Sequence, residues 1–236
     1  MAKIRDAKPK NSSGGYLRLV KNSKLAEIFT KAQSTVITNG TELEKIISDQ
    51  SQLMTNLDDF IKNVKLNKIN QGSYLCTKRV VKNSRYKMDK HEPDFMVFTV
   101  NDDKICNLIE LKDGDSFDTK KSTAEFENLK QFMEHLVPQI PFMVKFFICC
   151  FNQDDKDKII EGFKHRFTKE QILTGREICD LLKINYNYIL KLREQDATDN
   201  FDYVINELSK IREMHECIQR QNRTHINKPE FYDIGE

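Results

Sequence analysis

Between residues 93 and 112 the chain reads Pro93-Asp94-Phe95-Met96-Val97-Phe98-Thr99-Val100, then Asn101-Asp102-Asp103-Lys104, then Ile105-Cys106-Asn107-Leu108-Ile109-Glu110-Leu111-Lys112. The first and last parts are short, apolar and rich in β-branched and aromatic residues, the composition of strands. The polar stretch Asn101 to Lys104 has the length of a hairpin turn. Side chains alternate along a strand, so Glu110 and Lys112 face the same way. A hairpin brings Asp94 to the same end, where two carboxylates and one ammonium converge. That set suits phosphodiester hydrolysis. Two carboxylates can hold Mg²⁺, which prefers oxygen ligands and keeps several waters. Such a metal activates a bound water and neutralises charge on the phosphate. A neighbouring lysine can orient the water or steady the crowded phosphate.

Acid-x-lysine spacing alone carries no information in this chain, because Asp6/Lys8, Asp102/Lys104, Asp118/Lys120 and Asp154/Lys156 share it. Only Glu110/Lys112 ends an apolar strand, where a charge pair is costly unless it serves something. Pro-Asp occurs once, at the start of the preceding strand. On Pro93-Asp94 and Glu110-Leu111-Lys112 the chain resembles the PD-(D/E)xK nuclease superfamily, type II restriction endonucleases in particular, over roughly residues 40 to 150. The plain alternative is an ordinary hairpin with a solvated charged end. The resemblance implies an α/β fold with a restriction-endonuclease-like mixed central sheet flanked by helices. It implies a Mg²⁺-dependent, site-specific endonuclease for double-stranded DNA, acting as a homodimer. Asp94 and Glu110 would hold the metal, and Lys112 would assist the water. A glutamate from an early helix would complete the site, and in Gly40-Thr41-Glu42-Leu43-Glu44 it is Glu44 that is better placed. The loop after Lys112 would meet the DNA backbone through Lys120, Lys121 and Ser122. Some members orient the active-site lysine with a glutamine on the next helix, a place Gln131 could take.

Net charge is close to balance, at +2, but its distribution is uneven. Between Phe60 and Glu92 the bases are Lys62, Lys65, Lys68, Lys78, Arg79, Lys82, Arg85, Lys87 and Lys90, against Asp89 and Glu92. That excess leads straight into Pro93-Asp94 and can neutralise phosphates. Lys78, Arg79, Lys82, Arg85 and Lys87 are therefore candidate DNA contacts; a solvated lysine-rich face is the simpler account of the same residues. Six cysteines without a C-x-x-C pair argue against zinc and against a disulfide framework, and for buried thiols in a reducing compartment. No apolar run is long enough to span a membrane, and the basic N-terminus has no apolar core of a secretory signal. The expectation is a cytoplasmic protein with no membrane partner. No G-x-x-x-x-G-K-[ST] motif is present, so no ATP is expected.

Residues 1 to 15 read as a basic flexible arm, 16 to 151 as the nuclease core and 152 to 236 as a helical C-terminal region. A helix is expected from Ser23. Thr38-Asn39-Gly40 reads as a break before a helix whose apolar residues run from Leu43 to Val64, capped by Asn39 or Thr41. Glu42 and Glu44 suit its first turn electrostatically as well. Gly72 to Val81 reads as a strand, and His91 as structural or exposed. After Gly114 a loop with Asp113 and Asp115 leads into a helix over Thr119 to Val137. Phe142 to Phe151 reads as a strand buried on both faces, joined to Ile105–Leu111 by a right-handed crossover and hence parallel to it. Beyond a short helix at Lys158 to Phe163, the stretch from Thr174 to Arg193 has the rhythm of a helix-turn-helix around Lys183 to Asn185. Asn185, Tyr186, Asn187, Lys191 and Arg193 could then approach DNA, Asn185 and Asn187 foremost, and an antiparallel packing pair accounts for the same rhythm. Phe201 to Ile218 reads as an amphipathic helix with a heptad echo. Two other functions stay open: a repair or recombination nuclease that reads DNA structure, and a non-catalytic helix-turn-helix DNA-binding protein.

Overall fold

The hairpin read from the sequence forms the middle of the fold. The computed structural model describes residues 2–8, 14–89, 91–114, 119–216 and 220. In chain order the elements are α1 (Gly14–Val20), α2 (Ser23–Gln50), α3 (Leu57–Lys65), β1 (Gly72–Thr77), α4 (Lys78–Lys82), β2 (Phe95–Val100), β3 (Ile105–Lys112), α5 (Thr119–Leu136), β4 (Met143–Cys150), α6 (Lys156–Gly162), β5 (Ile172–Thr174), α7 (Gly175–Leu182) and α8 (Tyr186–Ser209). Two compact units are present, one over residues 39–192 and one over residues 2–38 with the chain from 193 onward.

The first unit holds a five-stranded mixed sheet in the order β1-β2-β3-β4-β5. β1, β2 and β3 are antiparallel neighbours, with Leu75 opposite Val97 and Phe95 opposite Ile109. β4 lies parallel to β3, with Glu110 opposite Ile148, and β5 parallel to β4. The α/β class, the hairpin and the parallel β3/β4 pair are as the sequence indicates. Alternation splits the apolar side chains between two cores. Met96, Phe98, Cys106 and Leu108 pack on one face with Phe60 of α3 and Leu129 and Phe132 of α5. Phe95, Val97, Ile109 and Leu111 pack on the other with Leu43 and Ile47 of α2 and Ile178 and Leu182 of α7. Each fully buried side chain of this kind stabilises the fold by roughly 1.5–3 kcal/mol relative to exposure.

Four expectations are corrected. No break occurs at Gly40, because α2 is continuous from Ser23 to Gln50. The polar residues there are satisfied without a break: the Thr38 hydroxyl bonds back to the Ser34 carbonyl at 3.1 Å, and the Asn39 side chain donates to Asp113 at 2.9 Å. A mid-helix glycine costs only about 1 kcal/mol, and buried Leu43 and Ile47 just beyond it hold the helix. The break falls later, at residues 51–56, where Leu53 makes a parallel bridge to Leu75 and covers the outer edge of β1. Asn56 then caps α3, accepting from the Asp59 N–H at 3.1 Å. The strand expected over Gly72 to Val81 stops at Thr77, and Lys78–Lys82 turn into a short helix that buries Val81. Finally, the second helix of the expected pair and the amphipathic helix from Phe201 are one helix, α8, as far as Ser209.

The turn at Lys183 to Asn185 is present, with Lys183 in the left-handed conformation at φ 58°. α7 opens with a capping box between Thr174 and Glu177. Gly175 sits so close to β4 that a Cβ would run into the Phe151 carbonyl oxygen and lie 3.0 Å from the Tyr186 ring. Cys76, Cys106, Cys149, Cys150 and Cys179 are free and buried, as read from the sequence, and burial pushes the Cys76 thiol up to about 12. In the second unit, Arg5 and Lys3 pair with Asp199, and the Lys31 ammonium donates to the Tyr203 hydroxyl at 3.3 Å. Among the described residues no helix is long and apolar enough to cross a membrane.

Candidate active site

Asp94 enters β2 one residue before the ladder begins, opposite the end of β3. Its Oδ2 accepts the main-chain N–H of Leu111 at 3.0 Å. That bond ties the carboxyl to the strand carrying Glu110 and Lys112. Those two side chains continue the Cys106/Leu108 face of β3, so they project towards α5. The Lys112 ammonium donates to Glu110 Oε1 and to Glu125 Oε1, both at 2.7 Å. On the other side the Lys78 ammonium donates to Asp94 Oδ1 at 3.2 Å. Lys78 gets there because β1 ends at Thr77: its N–H makes a final bond to the Asp94 carbonyl at 3.0 Å, and the chain then coils into α4. The side chains of Asp94, Glu110 and Lys112 are 12, 13 and 16 % exposed. A shielded cluster of this kind is held by its pairing, since removing one partner leaves an uncompensated charge.

The electrostatics show a site crowded with negative charge. Burial and the neighbouring Asp94 carboxylate raise the Glu44 carboxyl to about 7, against the opposing pull of Lys78 and Lys112. Burial and Asp94 likewise raise Glu110, with Glu125 adding to the effect and Lys112 opposing it. Burial alone would lower Lys112, but Glu110 and Glu125 outweigh it and hold the ammonium well above its usual range. Lys78 behaves the same way under Asp94, Glu110 and Glu44. Glu44 also lines an open cleft of about 580 Å³ with Thr41, Lys45, Asp49, Leu53 and Arg79.

Glu44, Asp94, Glu110 and Lys112 are thus brought together as anticipated, and Glu42 is not among the charges that act on them. Lys78, expected as a DNA contact, pairs with Asp94. Arg79 lies on the rim of the Glu44 cleft. Lys82 and Lys87 are exposed. Arg85 is engaged elsewhere, donating to the Tyr86 hydroxyl at 2.7 Å and pairing with Asp58 at 3.3 Å. Lys120 and Lys121 are exposed in the first turn of α5, while Ser122 is buried. Asn185 is exposed and caps α8 by accepting the Tyr188 N–H at 3.0 Å; Asn187 is exposed in the first turn. His91 Nδ1 lies 2.8 Å from Asn128 Oδ1. Asp113 accepts the side-chain N–H groups of Asn39 and Asn152 at 2.9 and 2.8 Å. Lys90, Asp115, Cys217, Ile218 and the tail beyond Arg220 lie outside the described residues.

Two acids were missed. Glu125, not the exposed Gln131, is the α5 residue that holds Lys112. Its signal was available: Ser122, Leu129, Phe132 and Leu136 are the buried stripe of α5, and Glu125 falls on it at the three- and four-residue spacing. Glu92, only 4 % exposed, stands immediately before Pro93.

The chain is 42 % identical over 225 residues to "Type II restriction enzyme HhaII" of Haemophilus parahaemolyticus, an alignment spanning 93 % of this chain and 99 % of that one. No family model matches the chain, and no solved structure matches it. A correspondence of that identity across nearly the full length of both chains is a shared family, and the chain belongs to the type II restriction enzymes.

Proposed function

We propose that the protein cuts double-stranded DNA at a specific sequence by hydrolysing one phosphodiester bond per strand at the Asp94–Glu110–Lys112 cluster. The reading rests on one observation above the others: the Asp94 carboxylate is locked onto the β3 main chain at Leu111, between the two side chains of the acid-x-lysine pair. A hairpin with a merely solvated end has no use for such a lock, nor for shielding three charges. The PD-(D/E)xK mechanism, the restriction-endonuclease-like sheet and the roles of these residues are parts of the same proposal.

Mg²⁺ is the cofactor we propose, with Asp94 and Glu110 as its protein ligands. Among the described residues no three His, Cys, Asp or Glu side chains gather into a metal-holding group. Mg²⁺ does not need one, since it takes one or two carboxylates and fills its shell with waters and phosphate oxygens. The fit is electrostatic. Four carboxylates, Glu44, Asp94, Glu110 and Glu125, interact with two ammonium groups, Lys78 and Lys112, and this surplus of negative charge adds to burial in raising Glu44 and Glu110. When bound, the cation supplies charge neutralisation at the phosphate and a more acidic water. Lys112, fixed by Glu110 and Glu125, would bring its positive charge to the reacting phosphate or water. Glu44 closes the site from α2 and can hold a proton near neutral pH.

Lys78, Arg79, Lys82, Arg85, Lys87, Lys120, Lys121, Asn185 and Asn187 remain the proposed DNA contacts, with Lys78 also inside the site. A homodimer, with one centre per strand, matches cleavage of a two-fold symmetric site. The second unit exposes Val36, Ile37, Phe201 and Ile205 at 50 to 74 %, the kind of apolar surface a partner copy covers. The test is incubation with phage-length duplex DNA and Mg²⁺. Discrete fragments are expected; a smear, or fragments that persist in excess EDTA, would contradict the reading.

A further inference from the structure

Only one carboxylate oxygen of Asp94, Oδ1, is left by the main chain, and the Lys78 ammonium sits on it at 3.2 Å. A divalent cation that binds Asp94 through Oδ1 meets the Lys78 ammonium there as a like charge that competes for the same oxygen. Glu92 offers a place to go. It is 4 % exposed, and its Oε2 finds no hydrogen-bond partner among the described residues. A buried carboxylate oxygen left without a donor is costly and calls for an explanation. Lys78 and Glu92 line the same small cavity, of about 50 Å³, with His91, Glu110, Glu125 and Asn128. The other polar groups around it are engaged: His91 with Asn128, and Glu110 and Glu125 with Lys112. The cavity thus contains one cationic side chain borrowed by the prospective cation ligand and one acceptor without a donor.

We infer that Lys78 is a built-in counter-ion for Asp94 whenever no cation is bound, and that Glu92 receives its ammonium when a divalent cation takes Asp94 Oδ1. The inference rests on the proposed role of Asp94 as a cation ligand. Glu92 is then a positioning residue, acting on the cation through Lys78. It keeps the displaced ammonium from competing for Asp94 and holds it beside the phosphate. The relocation is a change of partners across one cavity that both side chains line.

The test is calorimetric titration of Mn²⁺ into the full-length protein without DNA. Lys78→Met is expected to tighten binding by removing the competitor. Glu92→Gln, which keeps shape and removes charge, is expected to weaken it about tenfold, as loss of a residue supporting a metal ligand does. In the Lys78→Met background, Glu92→Gln is expected to have no effect, because no ammonium needs a new partner. A Glu92→Gln effect that is equal in both backgrounds, or absent from both, would overturn the inference. Unchanged Mn²⁺ affinity in Asp94→Asn would instead remove the cation reading beneath it. The wild type provides a check free of substitutions at Glu92: the Lys78 ammonium nitrogen resonance is expected to shift on addition of Mg²⁺, and a resonance that stays in place would overturn the relocation.

Discussion

The Leu111 N–H donates to Asp94 Oδ2 at 3.0 Å, joining the residue before β2 to the residue between Glu110 and Lys112. This cross-strand bond sets the spacing of the cluster. It implies that Asp94 can lose its charge without losing its place. Asp94→Asn keeps an oxygen able to accept from Leu111, so the variant should fold, its thermal midpoint moved only by the balance between the lost Lys78 pairing and the relieved repulsion of Glu44 and Glu110. Its single-turnover DNA cleavage should fall by about 10²–10³-fold, the scale of losing one electrostatic stabiliser, while duplex binding measured in Ca²⁺ stays near the wild-type value. Equal losses of folding and cleavage would mean that Asp94 is structural.

Glu125 should behave as part of the site although it stands on α5 and not on the sheet. Glu125→Gln removes one of the two carboxylates on Lys112, and cleavage should drop about 10- to 100-fold, the usual effect of residues that orient an active group. Gln131→Ala, at an exposed position of the same helix, should leave cleavage unchanged. The rate of each variant on one defined duplex decides between them.

The raised carboxyl of Glu44 makes a signed prediction about pH. Its folded value is about 7 against an ordinary 4.5, so between those values the folded chain binds more protons than the unfolded one. Stability from this group is therefore present below about pH 4.5 and is lost as pH rises through about 7. In EDTA, the thermal midpoint of the wild type should fall from pH 5 to pH 8 relative to that of Glu44→Gln. Parallel curves for the two proteins would contradict the burial of Glu44 beside Asp94. Divalent cations, which compete with the same proton, should bind more tightly as pH rises across that window.

Gly175 tests the packing of α7 on the sheet. Alanine is the better helix former by about 1 kcal/mol, so propensity alone predicts that Gly175→Ala stabilises. The close Phe151 carbonyl and the Tyr186 ring predict the reverse, a loss of about 1–3 kcal/mol from overpacking. Urea unfolding measures the sign.

The parts of the fold that could be read in advance are those where local pattern and tertiary burial agree. β2 and β3 alternate between two cores and announce themselves in composition; β4 is buried as expected only towards its end, where Ile148 and Cys150 enter one core and Cys149 the other, while Met143 and Lys145 at its start are exposed. The misread parts are those where a tertiary partner overrides a local signal. Thr38-Asn39-Gly40 looks like a stop, but the helix runs on because Leu43 and Ile47 are buried beyond it. Val80 and Val81 favour a strand by propensity, yet the sheet pairing ends at Asp94 and Val81 is buried from a helical turn. β5, at three residues, is too short to show a period. Within the site, Asp94, Glu110 and Lys112 stand out because charge ends apolar strands. Glu125 and Glu92 do not stand out, because an acid in a chain this rich in acids looks ordinary until its position on a buried stripe or before Pro93 is weighed. Lys78 was read as one of many basic residues, and only the early end of β1 reveals its partner.

The most direct test of the central claim is cleavage by Lys112→Ala. The account predicts that this variant binds the cognate duplex in Ca²⁺ about as tightly as wild type, and that with Mg²⁺ its single-turnover cleavage is slower by about 10²-fold or more. Cleavage at the wild-type rate and at the same positions would contradict the placement of the chemistry at the Asp94–Glu110–Lys112 cluster.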